Sequence, residues 1–310
     1  MADFSLDALL QPVSEESPAG DNLEYDLAFA ELQRIASWTD EKQAGNEVIA
    51  AEEPAWRDVR AQSLALLERT RDLQVALYLT QSLAAIEGIP GFATGVQLIA
   101  QMLDRFWDSV HPMLDADEGN DPVARSSRLA ALGDAATTLK IIRAAPLVES
   151  RAVGRFSVRD LLVADGLIKP VNAEGSAQRG LLDAALQDLG SEFASTMLEA
   201  VQAIEHGLEG IGTTFLERSE ISGTSPDLED VLATFKCVRN FYEKGVLATA
   251  GDEHSDEAIP MAVDGESSGQ NGGASMTAVG TLRTRQDVKR ALAQSCEWLR
   301  KNEPGHPAPL

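Results

Sequence analysis

The sequence has 310 residues, 44% hydrophobic and 24% charged, a composition that belongs to a folded chain rather than a disordered one. Its 49 acidic and 26 basic residues leave a formal charge of −23, a field that repels phosphate backbones and anionic lipid heads and counts against nucleic acid and membrane surfaces as partners. The start, Met1 to Leu10, carries Asp3 and Asp7 where a signal peptide needs a basic end and an apolar run, and no apolar stretch reads as the ~18 residues of a membrane span.

Helical period dominates the chain in order. Tyr25, Phe29, Leu32 and Ala36 fall on one stripe, which predicts a first amphipathic helix with all four inward. Pro54 suits a first helical turn, and Trp56, Val59, Ser63, Leu66 and Leu67 follow on one face. Asp72 to Glu87 is apolar nearly all round, the pattern of a central buried helix, and Gly88 with Pro90-Gly91 ends it. The next helix carries Phe92, Val96, Ile99, Leu103 and Phe106.

After a polar loop, Asp121 reads as an N-cap and Pro122 as the first turn of a helix running through Leu129, Leu132, Ala136 and Leu139 to Pro146. Ser157 with Asp160 spells a capping box. A long helix is expected from Ser191 to Phe215, broken near Gly207, Gly210 and Gly212, since each glycine costs about 1 kcal/mol there relative to alanine. Asp227 opens another, with Leu228, Val231, Leu232, Phe235, Val238 and Tyr242 inward. The only strand candidates are Val48 to Ala50 and Arg155 to Ser157.

Gly251 to Gly280 is rich in Gly, Ser and acids, and is expected to be a flexible linker. A last helix, Thr284 to Asn302, carries Val288, Leu292, Ser295 and Leu299 in a stripe flanked by Trp298. Arg283, Arg285, Lys289, Arg290, Arg300 and Lys301 surround that stripe, making this end the one basic part of an acidic chain. A helix of this length is marginal alone, so Val288, Leu292, Leu299 and Trp298 are the expected oligomerisation or partner-docking residues.

The fold class is therefore all-α. The expected divisions are a helical domain at 1–165 that folds alone, a second helical region at 176–250, an acidic linker at 251–280, and a basic helix with a Pro-rich end at 281–310.

Chemistry is hard to find. His111, His206, His254 and His306 are scattered, and Cys237 and Cys296 lie in helical patterns without a CxxC partner or a nearby histidine, as suits a reducing cytoplasm. No phosphate-binding glycine loop or nucleophile elbow occurs. Asp115 to Asp121 begins like a calcium loop, but Gly119, Asn120 and Ser126 stand where an oxygen ligand, a glycine and a glutamate are needed. No catalytic residue, metal ligand or cofactor is assigned. Trp56, Phe106 and Trp107 are read as core.

Several segments resemble one family. The run Leu9 to Asp21 followed by Tyr25-Asp26 is similar to the opening of the ImpA N-terminal domain. So are Glu53-Pro54-Ala55-Trp56, Thr70 to Ala76, Phe106 to Pro112, and Asp121 to Arg125, in order across residues 9–165. Near the end, Arg285-Gln286-Asp287 and Glu303 to Leu310 resemble further signatures of the TssA proteins of the bacterial type VI secretion system. Family members generally continue past the residue matching Leu310, so the chain is expected to be a truncated or short-class form.

The resemblance implies a cytoplasmic, non-enzymatic part of a contractile, phage-tail-like machine. Such a part binds baseplate, tube and sheath proteins and promotes tail assembly. It also implies a homo-oligomer, often a ring formed through the C-terminal region, with no nucleic-acid binding and no membrane insertion. Two alternatives are a general helical adaptor and a metal-dependent enzyme built on the Asp115–Asp121 loop.

Overall fold

A computed structural model describes residues 4–250 apart from 40–41, 45–46, 50–51, 116, 118, 171–177 and 222; at 42–44, 47–49 and 248–250 it describes backbone only. These residues fall in one unit, Met1–Glu257. The proposed linker at 251–280 and the C-terminal helix with Val288, Leu292, Trp298 and Leu299 lie outside the described residues.

Nine α-helices and two small antiparallel strand pairs make up the described residues. Helix α1 (Leu6–Leu9) and α2 (Leu27–Ile35) precede the pair β1 (Lys42–Ala44) and β2 (Glu47–Ile49), in which Gln43 faces Val48. Helix α3 (Trp56–Leu67) then leads to α4 (Leu73–Phe106), the central element. Asp72 caps α4, its carboxylate accepting from the amides of Gln74 at 2.7 Å and Val75 at 3.2 Å. Leu73, Val75, Leu77, Leu79 and Leu83 are buried, as the all-round apolar pattern predicts.

The expected stop at Gly88 is a kink: its φ of 67° lies in the left-handed region, and the helix resumes beyond it. Pro90 falls in the first turn of the resumed segment, where a missing N–H costs nothing. By length and composition α4 does qualify as a membrane span, contrary to the sequence reading. Its apolar side chains are spent on this chain's own core.

Beyond α4 the helix expected from Pro122 to Pro146 is divided. Helix α5 (Val123–Leu129) passes into a 3-10 turn (Ala130–Gly133), and α6 (Thr138–Ala144) starts afresh. Asp134 causes the break: its backbone is extended and its carboxylate accepts from the amides of Ala136 at 2.6 Å and Thr137 at 3.0 Å. Strand β3 (Pro146–Ser150) pairs with β4 (Gly154–Ser157), and α7 (Val158–Ala164) opens with the predicted Ser157–Asp160 capping box.

Helix α8 (Arg179–Arg218) packs against α4 and against α9 (Glu229–Ala250). Helix α8 breaks at Gly190, with φ 81°, and runs unbroken through Gly207, Gly210 and Gly212, against expectation. Gly207 has a packing reason, because a Cβ there would lie 2.7 Å from Cγ1 of Val96 on α4. Close helix approach, not helix termination, explains that glycine.

One hydrophobic core joins α4 to α8 and α9. Phe92 stacks on Phe235 at 5.4 Å, and Trp107 meets Phe215 edge-on at 5.2 Å. The Tyr242 hydroxyl donates to the Leu147 carbonyl at 2.7 Å. Fully burying side chains of this size stabilises by about 1.5–3 kcal/mol each relative to leaving them in water.

Candidate functional site

Among the described residues, the groups able to do chemistry are placed apart and mostly occupied. His111 is buried, with Nε2 3.2 Å from the Gly20 carbonyl, and His206 is exposed on α8. His254, His306 and Cys296 lie outside the described residues. The Cys237 thiol is buried 3.4 Å from an Asp165 carboxylate oxygen; burial first, and that carboxylate second, push it up to about 12, so it stays a protonated, weakly nucleophilic thiol.

In the acidic loop, Asp115 accepts from the amides of Asp117 and Asn120, each at 2.8 Å, and Asp121 accepts from Val123 at 2.9 Å. These bonds make a turn and a helix cap. Among the described residues no three His, Cys, Asp or Glu side chains converge in a way that could hold a metal ion.

Two arginines missed by pattern reading organise the N-terminal region. Arg125 is fully buried, and its guanidinium donates to the carbonyls of Pro112 at 2.7 Å, Trp107 at 2.5 Å and Val110 at 2.8 Å. It lies 5.2 Å over the Trp107 ring, and burial pushes it down to about 10. The Phe106–Pro112 and Asp121–Arg125 segments are thus two halves of one device.

Arg71 does the same for the chain's opening, donating to the Gln11 carbonyl at 2.6 Å and to the carbonyls of Thr70 and Leu67. Thr70 donates to the Asp21 carbonyl at 2.7 Å, and Arg69 pairs with Asp26 at 2.7 Å. The hint in the sequence was an arginine inside each motif. Which carbonyls it would meet was not written there.

Three surfaces remain open. Tyr25 and Leu27, 93% and 88% exposed, flank Asp26 at the start of α2, so Tyr25 does not join the buried stripe expected of it. Its side chain precedes the helix, on the far side of the Asp26 cap. Exposed Glu15, Glu16, Asp21 and Glu24 belong to the same segment.

The second surface is a cleft of about 630 Å³ at the two helix kinks, walled by Ile86, Ile89, Pro90, Leu189 and Phe193, with Glu53, Glu87 and Glu149 among its polar residues. Nearby, Trp56 is half-buried rather than core. Trp38 packs edge-on to it at 6.0 Å, and the Lys140 ammonium sits 3.6 Å from the Trp38 ring centre. A third hollow lies between α8 and α9, where burial, only partly offset by Arg239, shifts Glu205 upward.

Known proteins share this arrangement. Residues 10–134 match the family described as ImpA, N-terminal, type VI secretion system. The type VI secretion system component TssA1 of Pseudomonas aeruginosa is 34% identical over 97% of this chain and 88% of its own length. The chain belongs to the TssA family.

A solved structure agrees: the N-terminal domain of the Burkholderia cenocepacia TssA component, including its conserved ImpA_N region, superposes with a TM-score of 0.60 at 27% identity. That match covers 79% of this chain and 94% of the other. Within this TssA-family chain, the Tyr25–Leu27 face and both arginine devices lie inside residues 10–134. The hollow between α8 and α9 lies outside them. The family places the protein among the structural and assembly components of the secretion system.

Proposed function

We propose that this protein is a non-enzymatic assembly factor of a type VI secretion system, working in the cytoplasm, that binds baseplate, tube and sheath proteins and promotes tail assembly. The observation that carries the reading is the match to a TssA1 component along almost the whole chain, at 34% identity over 97% of its length. The geometry is compatible with it, since Tyr25 and Leu27, the two most exposed large hydrophobic residues among the described residues, sit in an acidic setting suited to protein contact.

Self-association through the basic C-terminal segment belongs to the same proposal. Val288, Leu292, Trp298 and Leu299 are its anchors, and a neighbouring subunit is the surface they dock on. Co-purification of the full chain with individually expressed baseplate, tube and sheath proteins tests the reading. Tyr25→Ala with Leu27→Ala is expected to weaken at least one of these pairs while the chain melts within ~0.5 kcal/mol of the parent, as exposed substitutions do. Failure of the parent to retain any of the three classes would favour a general adaptor instead.

A further inference from the structure

The hollow between α8 and α9 has a volume of about 640 Å³ and an apolar floor, with Leu208 and Leu228 buried and Leu232 half-buried. Glu209, Asp227 and Glu229 stand exposed around it, and none pairs with a cation among the described residues. Of its two cations, Arg239 is engaged by Glu205 at 3.4 Å and Glu243 at 3.8 Å, and Lys236 also acts on Glu205. Asp227 is shared with a smaller hollow of about 340 Å³ beside the 3-10 turn, where Asp134 and Asp230 add two more exposed carboxylates.

Gly212 is the independent clue. A Cβ at this position would meet nothing within 4 Å, although the residue lines the hollow from inside a helix. Cβ atoms at Gly95, Gly207 and Gly245 would lie 2.5, 2.7 and 2.4 Å from a neighbour, whereas Gly180, Gly210 and Gly212 of α8 all face open space, and of these three Gly212 is the one that lines the hollow. Nothing inside the described residues asks for glycine at 212, where it costs about 1 kcal/mol relative to alanine. A helix backbone drawn in close from outside would ask for it.

We propose that this trough docks a basic amphipathic α-helix of a partner protein. Its aliphatic side chains settle on Leu208, Leu228 and Leu232, its backbone approaches at Gly212, and its Lys or Arg side chains meet the uncompensated carboxylates along the edge. Nucleic acid and anionic lipid are repelled by those same carboxylates. The apolar floor beneath them favours a two-faced helix over a purely polar cation-rich segment.

The probe is a synthetic amphipathic helical peptide of leucine and lysine, compared with its glutamate-for-lysine counterpart, titrated into the full chain at about 0.15 M salt so that only close charges act. The lysine peptide is expected to bind and the glutamate peptide not to. Gly212→Leu fills the trough and is expected to weaken binding about tenfold or more while melting no lower than the parent, because leucine is the better helix former.

Glu209→Gln with Glu229→Gln should weaken binding as well, whereas Glu192→Gln with Glu199→Gln, the same charge change elsewhere on α8, should not. Equal losses in the two charge pairs would mean general attraction to an acidic chain, and the proposal would fall. It would also fall if Gly212→Leu bound like the parent. A change of oligomer size in Gly212→Leu would give the trough to a second copy of this chain and overturn the partner assignment.

Discussion

In the N-terminal region Arg71 and Arg125 turn inward and spend their N–H groups on backbone carbonyls, while along α8 and α9 the carboxylates of Glu209, Asp227 and Glu229 turn outward and meet no cation among the described residues. The glycines divide in a similar way. Gly95 and Gly207 are small because another part of the chain presses on them, and Gly212 faces open space. Groups with internal partners report on how the chain folds; groups without them report on what the folded chain can meet. A family motif is therefore not evidence of a contact surface, since two of the most specific ones here are internal clamps.

The largest effect expected is at Arg125. Arg125→Ala removes the donor from three carbonyls in a buried setting, and a loss of about 3–5 kcal/mol follows, as when one partner of a buried charged network is deleted. Urea unfolding measures it. A loss below about 1 kcal/mol would mean that water can replace the guanidinium, and the contrast between clamp and surface would weaken.

The tryptophans sharpen the same contrast. Trp107→Ala should cost about 3–5 kcal/mol, because the ring is buried against Phe215 and Arg125. Trp56→Ala should cost about half as much or less, since its ring is half-buried and its indole N–H reaches only Glu53, at 2.8 Å. Similar losses for the two would return Trp56 to the core.

Next comes a pair of glycines one helical turn apart. Gly207→Ala places a methyl group 2.7 Å from Val96 and is expected to destabilise by about 1–3 kcal/mol. Gly210→Ala meets nothing within 4 Å and should stabilise by up to ~1 kcal/mol. Opposite signs in thermal melts would verify that helix approach, not helix breaking, governs α8.

The smallest effect on stability concerns Cys237. With its thiol pushed up to about 12, protonated sulfur dominates at pH 8, and the thiolate becomes available only as pH rises toward that value or the fold opens. In a Cys296→Ser variant, a thiol-specific chromogenic reagent should react slowly with the native chain at pH 8 and rapidly in denaturant. Fast native reaction would place Cys237 on a mobile or accessible wall of the α7–α9 contact.

Local order was legible in the one-dimensional pattern because each signal depends on neighbours within a turn or two. The buried character of Leu73–Leu83, the capping box at Ser157 and an interruption at Gly88 belong to that class, although the interruption is a kink and not the expected end. Val48 and Arg155–Ser157 read as strands for the same reason, but their partners, Lys42–Ala44 in one pair and Pro146, Val148 and Glu149 in the other, carry no alternation and are strands only because pairing makes them so.

Tertiary structure decided what depends on distant contacts. A glycine looks alike in sequence whether it supplies a left-handed φ, as Gly190 does, or a close approach, as Gly207 does, and only the facing Val96 tells them apart. Tyr25 fits a helical stripe by spacing yet stands free because the helix begins after it, at Leu27 behind the Asp26 cap. Arg125 resembles any surface cation until three carbonyls, 13 to 18 residues earlier, converge on it. Amino-acid order determined the helices, their caps and the family; burial of each side chain, and hence which ones remain for a partner, was set by how those helices pack.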